Sequence, residues 1–303
     1  VASSGMKNPT KRERQELARI EARERHERDR RARHRKRLLL QIGSIVVVLV
    51  VAGVVAGQLI GQQRAASIGP ANMASDGIVL TGDGSTVTAS TTAAIQPGGS
   101  PIATDENAIR AKGVATIDLY VDYLCPNCGT FESTNMTQLQ EWVKAGYITL
   151  EIHPIAILDS ASQGTAYSSR AANAAACVAS YDPDDFLAVH EALFAQQPEE
   201  GTSALDDDAL RALVTGAGVT DEDVLACITS GEFRTWVSDA TERATTGPLA
   251  NSAIAALTGT PTVLVNGQEY TGANDDADAF VQFISDTLEA EASTPTPSAT
   301  PAG

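Results

Sequence analysis

From Leu38 to Gly61 the chain runs 24 residues without a charge. A bilayer core takes roughly 20 helical residues, and a lone segment in hydrocarbon satisfies its backbone polar groups only as a helix. Before this run stand Arg30, Arg31, Arg33, Arg35, Lys36 and Arg37; after it comes only Arg64 before a long acidic stretch. Basic flanks stay cytoplasmic, so the N-terminus is expected inside and residues 65–303 outside. A cleaved signal peptide, cut after Ala56, is the rival. It fits less well, because the lead before the run is 37 residues long and the run exceeds the ~7–15 residues of a signal h-region. The expectation is a basic cytoplasmic segment over 1–37 and one uncleaved transmembrane helix over 38–61.

Charge divides the same way. Of 22 basic and 38 acidic residues, 15 and 6 lie up to Arg64, leaving 7 against 32 beyond it. The outer part would repel phosphate, which excludes nucleic acid as its partner. In the inner segment Glu21/Arg25, Glu24/Arg28, Glu27/Arg31 and Asp29/Arg33 are spaced i,i+4 with the acid first, as a solvated helix with a lipid-facing basic end would have them. Residues 62–112 are rich in Gly, Ser, Thr, Ala and Pro and read as an extracytoplasmic linker, with one edge hairpin around Gly82-Asp83-Gly84. The last residues, 292–303, read as a disordered Pro/Thr tail. The folded domain is then 113–291.

Within it Ala115–Asp122 is β-rich and ends at Cys125-Pro126-Asn127-Cys128. Phe131, Met136, Leu139, Trp142 and Val143 follow at helical spacing, then a second strand at 147–152. Helices are predicted at 165–180, 183–196, 206–215, 221–229 and 232–246. A hairpin on Asn266-Gly267 and a helix through Phe280, Ile284 and Leu288 close the domain. This is an α/β order with a helical insertion at about 158–246.

The chemistry is expected where the first strand hands over to a helix. Cysteines two residues apart come within disulfide range, and unpaired N–H groups at a helix start stabilise the first as thiolate. Pro126 suits a first-turn position that needs no donor. The other readings of the motif are half a zinc site and an inert disulfide. A zinc site would want a second close pair, whereas Cys177, Cys227, His153 and His190 are scattered. Acidic turns such as Asp206–Asp208 are better read as helix starts than as calcium loops, so no metal and no cofactor are expected. A second feature, Gly259-Thr260-Pro261-Thr262 through Gly267, places a proline at the mouth of a strand, where a cis peptide would turn Thr260 backbone toward an extended peptide.

With both motifs in place, residues 115–290 resemble the DsbA-like thiol:disulfide oxidoreductases, a thioredoxin fold, in their membrane-anchored actinobacterial form. The resemblance rests on Tyr120 through Phe131, the helical insertion, and Gly259 through Gly267. It implies a catalyst of disulfide formation in newly exported proteins at the cell membrane. Cys125 would be nucleophile, Cys128 resolving partner and Pro261 the cis-proline, with Thr260, Pro126 and Asn127 facing substrate. It further implies a membrane redox partner similar to vitamin K epoxide reductase, and a monomer is the expected state. Cys177 and Cys227 can be read from the residues as two buried thiols. The exterior location and the second disulfide common among similar proteins imply a Cys177–Cys227 bridge instead. The alternatives are a reductase or isomerase of the same fold, and a non-catalytic binding module or metallochaperone.

Two departures from the family pattern bear on the chemistry. Asn127 stands where the best-known strong oxidant has histidine, and Leu119 stands where a buried acid is usual. Asp122, three residues before Cys125, is the alternative group for proton transfer to and from Cys128. Strand alternation from Leu119 puts it on the opposite face, so a solvated or capping acid is expected. With no Lys, Arg or His between Val114 and Trp142, the helix start alone sets the Cys125 pKa. The expected value is about 4.5–6.5, between ~3.5 for DsbA and ~7 for thioredoxin.

Overall fold

The computed structural model describes residues 68–293. The expected basic segment, the transmembrane helix at 38–61 and most of the Pro/Thr tail lie outside these residues. No helix among the described residues is long and apolar enough to cross a membrane.

The strands are β1 (Ile78–Gly82), β2 (Val87–Ala89), β3 (Ala115–Val121), β4 (Ile148–Pro154), β5 (Thr262–Val265) and β6 (Gln268–Glu269). They form one sheet in the order β2-β1-β4-β3-β5-β6. Central β3 and β4 run parallel, with Asp118 opposite Glu151 and Tyr120 opposite His153. β5 joins β3 antiparallel, and β1 joins β4 antiparallel. Parallel neighbours need a crossover, and α2 (Pro126–Lys144) supplies it. It packs Phe131, Leu139 and Val143 against Ile117, Leu119, Leu150 and Ile152, all fully buried. This apolar face is why β3 and α2 form where the sequence pattern placed them.

The insertion between β4 and β5 is helical: α3 (Tyr167–Tyr181), α4 (Phe186–Ala195), α5 (Asp207–Gly216), α6 (Glu222–Ser230) and α7 (Arg234–Thr246). Asp206 and Asp221 cap α5 and α6 by accepting the N–H groups of Ala209 and Asp223. The α4 helix starts at Phe186, three residues later than expected, because 183–185 form a 3₁₀ turn. Cys177 on α3 and Cys227 on α6 are joined by a disulfide across 50 residues, as the resemblance implied. In the closing hairpin Asn266 and Gly267 have φ of 47° and 79°, the left-handed pair that a type I′ turn requires. Helix α8 (Ala277–Ser293) ends the described chain.

One boundary moves. The stretch read as linker over 62–112 contributes β1 and β2 to the sheet and a short helix α1 (Glu106–Arg110) beside β3. Met73, Ile78 and Leu80 are fully or almost fully buried. Asp76 forms a two-pronged ion pair with Arg243 of α7 at 2.7 Å. The compact unit therefore takes in the described residues before 113 as well. Their few apolar side chains suffice because β1 lends them to an existing core, each worth roughly 1.5–3 kcal/mol when fully buried.

Candidate active site

β3 ends at Val121, and a short turn delivers Cys125 to the N-cap of α2 with extended backbone, φ −74° and ψ 117°. Pro126 follows at the first turn, where a missing N–H costs nothing. Cys125 and Cys128 both carry free thiols. Their surroundings differ: Pro126 and Asn127 are exposed, Cys125 is largely covered, and Cys128 is fully buried beneath them.

The two sulfurs are driven apart in acidity. Cys125 is pushed down to about 6, chiefly by a hydrogen bond from the Cys128 thiol. Further help comes from the N–H groups of Cys128 and Asn127, against a burial penalty. The value falls within the expected range, but its largest cause is the Cys128 thiol rather than the helix start. Cys128 is pushed well above the usual thiol range, first by burial and then by the neighbouring Cys125. One thiol is thus poised to attack or leave as thiolate near neutral pH, while the other holds its proton.

Across 135 residues the fold brings the second motif to the first. The Cys125 thiol donates to the Thr260 carbonyl at 3.2 Å. The Thr260–Pro261 peptide is cis, and both residues are half-buried at the mouth of the site. Cys125, Cys128, Pro126, Asn127, Thr260 and Pro261 therefore meet in one place. Cys177 and Cys227 are bonded to each other in the helical insertion and supply no third thiol.

Asp122 meets the capping half of its expectation and not the solvated half. It is fully buried rather than solvated, and it lies past the end of β3, where strand alternation no longer applies. Its carboxylate accepts the N–H groups of Leu124, Ile157 and Leu158, tying the active-site turn to the entry of the insertion. Burial nevertheless raises its pKa. A buried acid also sits one residue before Leu119: Asp118, on the opposite face of β3, is raised well above the carboxylate range by burial, then by Glu151 and Glu106.

Two features escaped the sequence. The amide of Gln197 donates to the carbonyls of Tyr123 and Cys125, at 3.1 and 2.9 Å, holding the turn from the insertion side. Gly129 makes room for it, since a Cβ there would fall 2.3 Å from the Gln197 oxygen. Behind the turn, buried Tyr123, His190 and Glu132 form a chain, with His190 3.0 Å from the Tyr123 hydroxyl and 3.1 Å from Glu132. All of these contacts span 58 residues or more, and no local pattern signals them.

A buried resolving thiol, an acidic attacking thiol and a strand-mouth proline on a mixed α/β sheet define a dithiol–disulfide exchange centre. A family model described as thioredoxin matches residues 110–286, more than half of the chain. Oxidised DsbA of Mycobacterium tuberculosis is 31% identical, covering 70% of this chain and 92% of its own, with TM-score 0.50. The reduced disulfide oxidoreductase DsbG of the same organism is 31% identical, covering 73% and 95%, with TM-score 0.51. The serine/threonine-protein kinase PknE of M. tuberculosis is 30% identical over 119 residues, 38% of this chain but only about a fifth (21%) of the kinase. The chain belongs to the thioredoxin family and is a DsbA-like protein thiol:disulfide oxidoreductase.

Proposed function

We propose that the enzyme works as an oxidase, introducing disulfides into exported polypeptides on the outer side of the membrane. The observation that carries this is the acidity split between Cys125, at about 6, and Cys128, well above the usual range. In the oxidised enzyme a substrate thiolate attacks Cys125 Sγ. The Cys125–Cys128 bond breaks, and Cys128 leaves and takes up a proton. A second substrate thiolate then attacks the substrate sulfur of the mixed disulfide and expels Cys125 as a stable thiolate. The substrate gains a disulfide and gives up two electrons and two protons. The enzyme takes both electrons; Cys128 keeps one proton, and the other goes to solvent while Cys125 remains a thiolate. A leaving thiol of low pKa departs faster and stabilises the reduced product, which makes the site a disulfide donor.

Exposed Pro126 and Asn127, together with Thr260 and Pro261, would line the path of an extended substrate. The uncharged run at 38–61 would anchor the enzyme with its N-terminus inside. Return to the disulfide would fall to a membrane redox partner similar to vitamin K epoxide reductase. The reduction potential of residues 65–303 tests the direction. A value between ~−120 and ~−270 mV, toward the former, supports the oxidase; one at or below ~−270 mV would establish a reductase instead.

A further inference from the structure

The second face of the central strands carries a buried polar cluster that thiol exchange does not use. Asp118 on β3 and Glu151 on β4 are register partners, and His153 follows two residues on, so all three side chains project from the same side of the sheet. Each is only 4–5% exposed, and each offers a ligand atom within 4.8 Å of the others. Helix α1 brings Glu106, 2% exposed, to the same place. Among these buried atoms His153 Nδ1 has no hydrogen-bond partner, while the Asp118 and Glu106 carboxyls are hydrogen-bonded to each other. Orphans of this kind cost stability, and buried charges are ordinarily paired or bound to metal.

We propose that Asp118, Glu151 and His153 form a binding site for a divalent transition ion of the zinc class, separate from the redox centre. The spacing suits the ion. Zinc bonds to imidazole nitrogen and carboxylate oxygen are about 2.0–2.2 Å, and tetrahedral angles then put two ligand atoms about 3.3–3.5 Å apart. His153 Nε2 lies 3.4 Å from Glu151 Oε1. An imidazole beside two carboxylates selects zinc or a neighbouring transition ion over calcium, which takes oxygen ligands. Glu106, hydrogen-bonded to Asp118, adds a third carboxylate beside the site. The ligands sit on paired sheet strands, which hold geometry better than loops do. The imidazole is also locked in place: a Cβ on Gly77 would fall 2.6 Å from the His153 ring, so only glycine leaves it this position. A cavity of about 340 Å³, lined by Tyr120, Arg243 and Leu249 among others, borders His153. The scattered sequence positions hid the cluster, which strand register alone assembles.

The test uses the full-length chain with Cys125 and Cys128 oxidised, so that no thiol competes. It is stripped with chelator and titrated with Zn2+, with elemental analysis and thermal melting as readouts. The expected result is a single Zn2+ per chain and a melting rise of about 5–10 °C at a hundredfold excess over the dissociation constant. Asp118→Asn and His153→Gln should each weaken uptake more than about tenfold while circular dichroism stays native. If either variant fails to fold, Glu151→Gln replaces it. The proposal is overturned if the wild-type chain takes up no stoichiometric zinc, if uptake survives these substitutions unchanged, or if Ca2+ is bound in preference.

Discussion

Stability of the dithiol form should depend on pH in a way that the disulfide form does not share. Cys125 falls from an ordinary value of 9.0 to about 6 on folding. A group whose pKa drops on folding contributes stability that is complete above its unfolded pKa and is lost as pH falls through its folded one. The window is therefore pH 6 to 9. With these two values the linkage relation gives essentially nothing at pH 5, about 1.4 kcal/mol at pH 7 and about 3 kcal/mol at pH 8.5. These are upper bounds, because solvent reaches the mouth of the site and screens the sulfur, so about 2 kcal/mol between pH 5 and 8.5 is the working expectation. Cys128, shifted upward, works in the opposite sense only above pH 9. Other titrating groups, Asp122 among them, act on both redox forms and cancel in the difference. Urea unfolding of reduced and oxidised residues 65–303 at pH 5, 7 and 8.5 reads this difference directly. A reduced-minus-oxidised stability that stays constant within about 0.5 kcal/mol, or falls with rising pH, would refute both the Cys125 assignment and the oxidase argument built on it.

Other outcomes follow from particular contacts. Replacing Cys177 and Cys227 together by alanine removes a cross-link spanning 50 residues and should cost about 4 kcal/mol by the chain-entropy relation, measured by denaturant unfolding. A fragment starting at residue 113 lacks β1 and leaves the β4 edge bare, so it should aggregate or unfold where 65–303 stays monomeric in light scattering. Gln197→Leu leaves the Tyr123 and Cys125 carbonyls without their donor. It should lower stability by about 1–3 kcal/mol and slow oxidation of a model peptide, with the cysteines themselves intact. Protease added to intact protoplasts should digest the chain beyond residue 65 and spare the basic segment; a soluble form beginning near residue 57 would contradict the anchored topology.

The redox centre was largely legible because its signals are local or carry their own geometry. Cys125 through Cys128 stand at a strand-to-helix junction, Asn266-Gly267 can adopt the positive φ pair of a tight hairpin, and Asp206 and Asp221 cap the helices they precede. The segment from 68 to 112 was not, because its Gly/Ser/Thr-rich composition outweighs the few side chains it buries, and β1 is stable only through hydrogen bonds to β4, about seventy residues away. Asp122 misled for a related reason: alternation describes a strand, and the strand stops one residue short of it. The polar second face was hidden by the same rule. Asp118 and Glu151 alternate with apolar residues as solvent-facing acids would, yet α1 and the residues before β1 cover them.

The bridge between α3 and α6 has a bearing on how the protein comes to exist. Cys177 and Cys227 are 0% and 1% exposed in the finished fold, so no oxidant can reach them once the helical block has closed. The bond must form while that block is still open, on a nascent chain that carries Cys125 and Cys128 as well. A disulfide catalyst is in this way a client of the reaction it performs. If the enzyme is the oxidase proposed above, mature copies would oxidise newly emerging ones, and the supply of active enzyme would feed on itself. After a period of reduction, oxidising capacity should recover with a lag that shortens as the number of surviving copies rises.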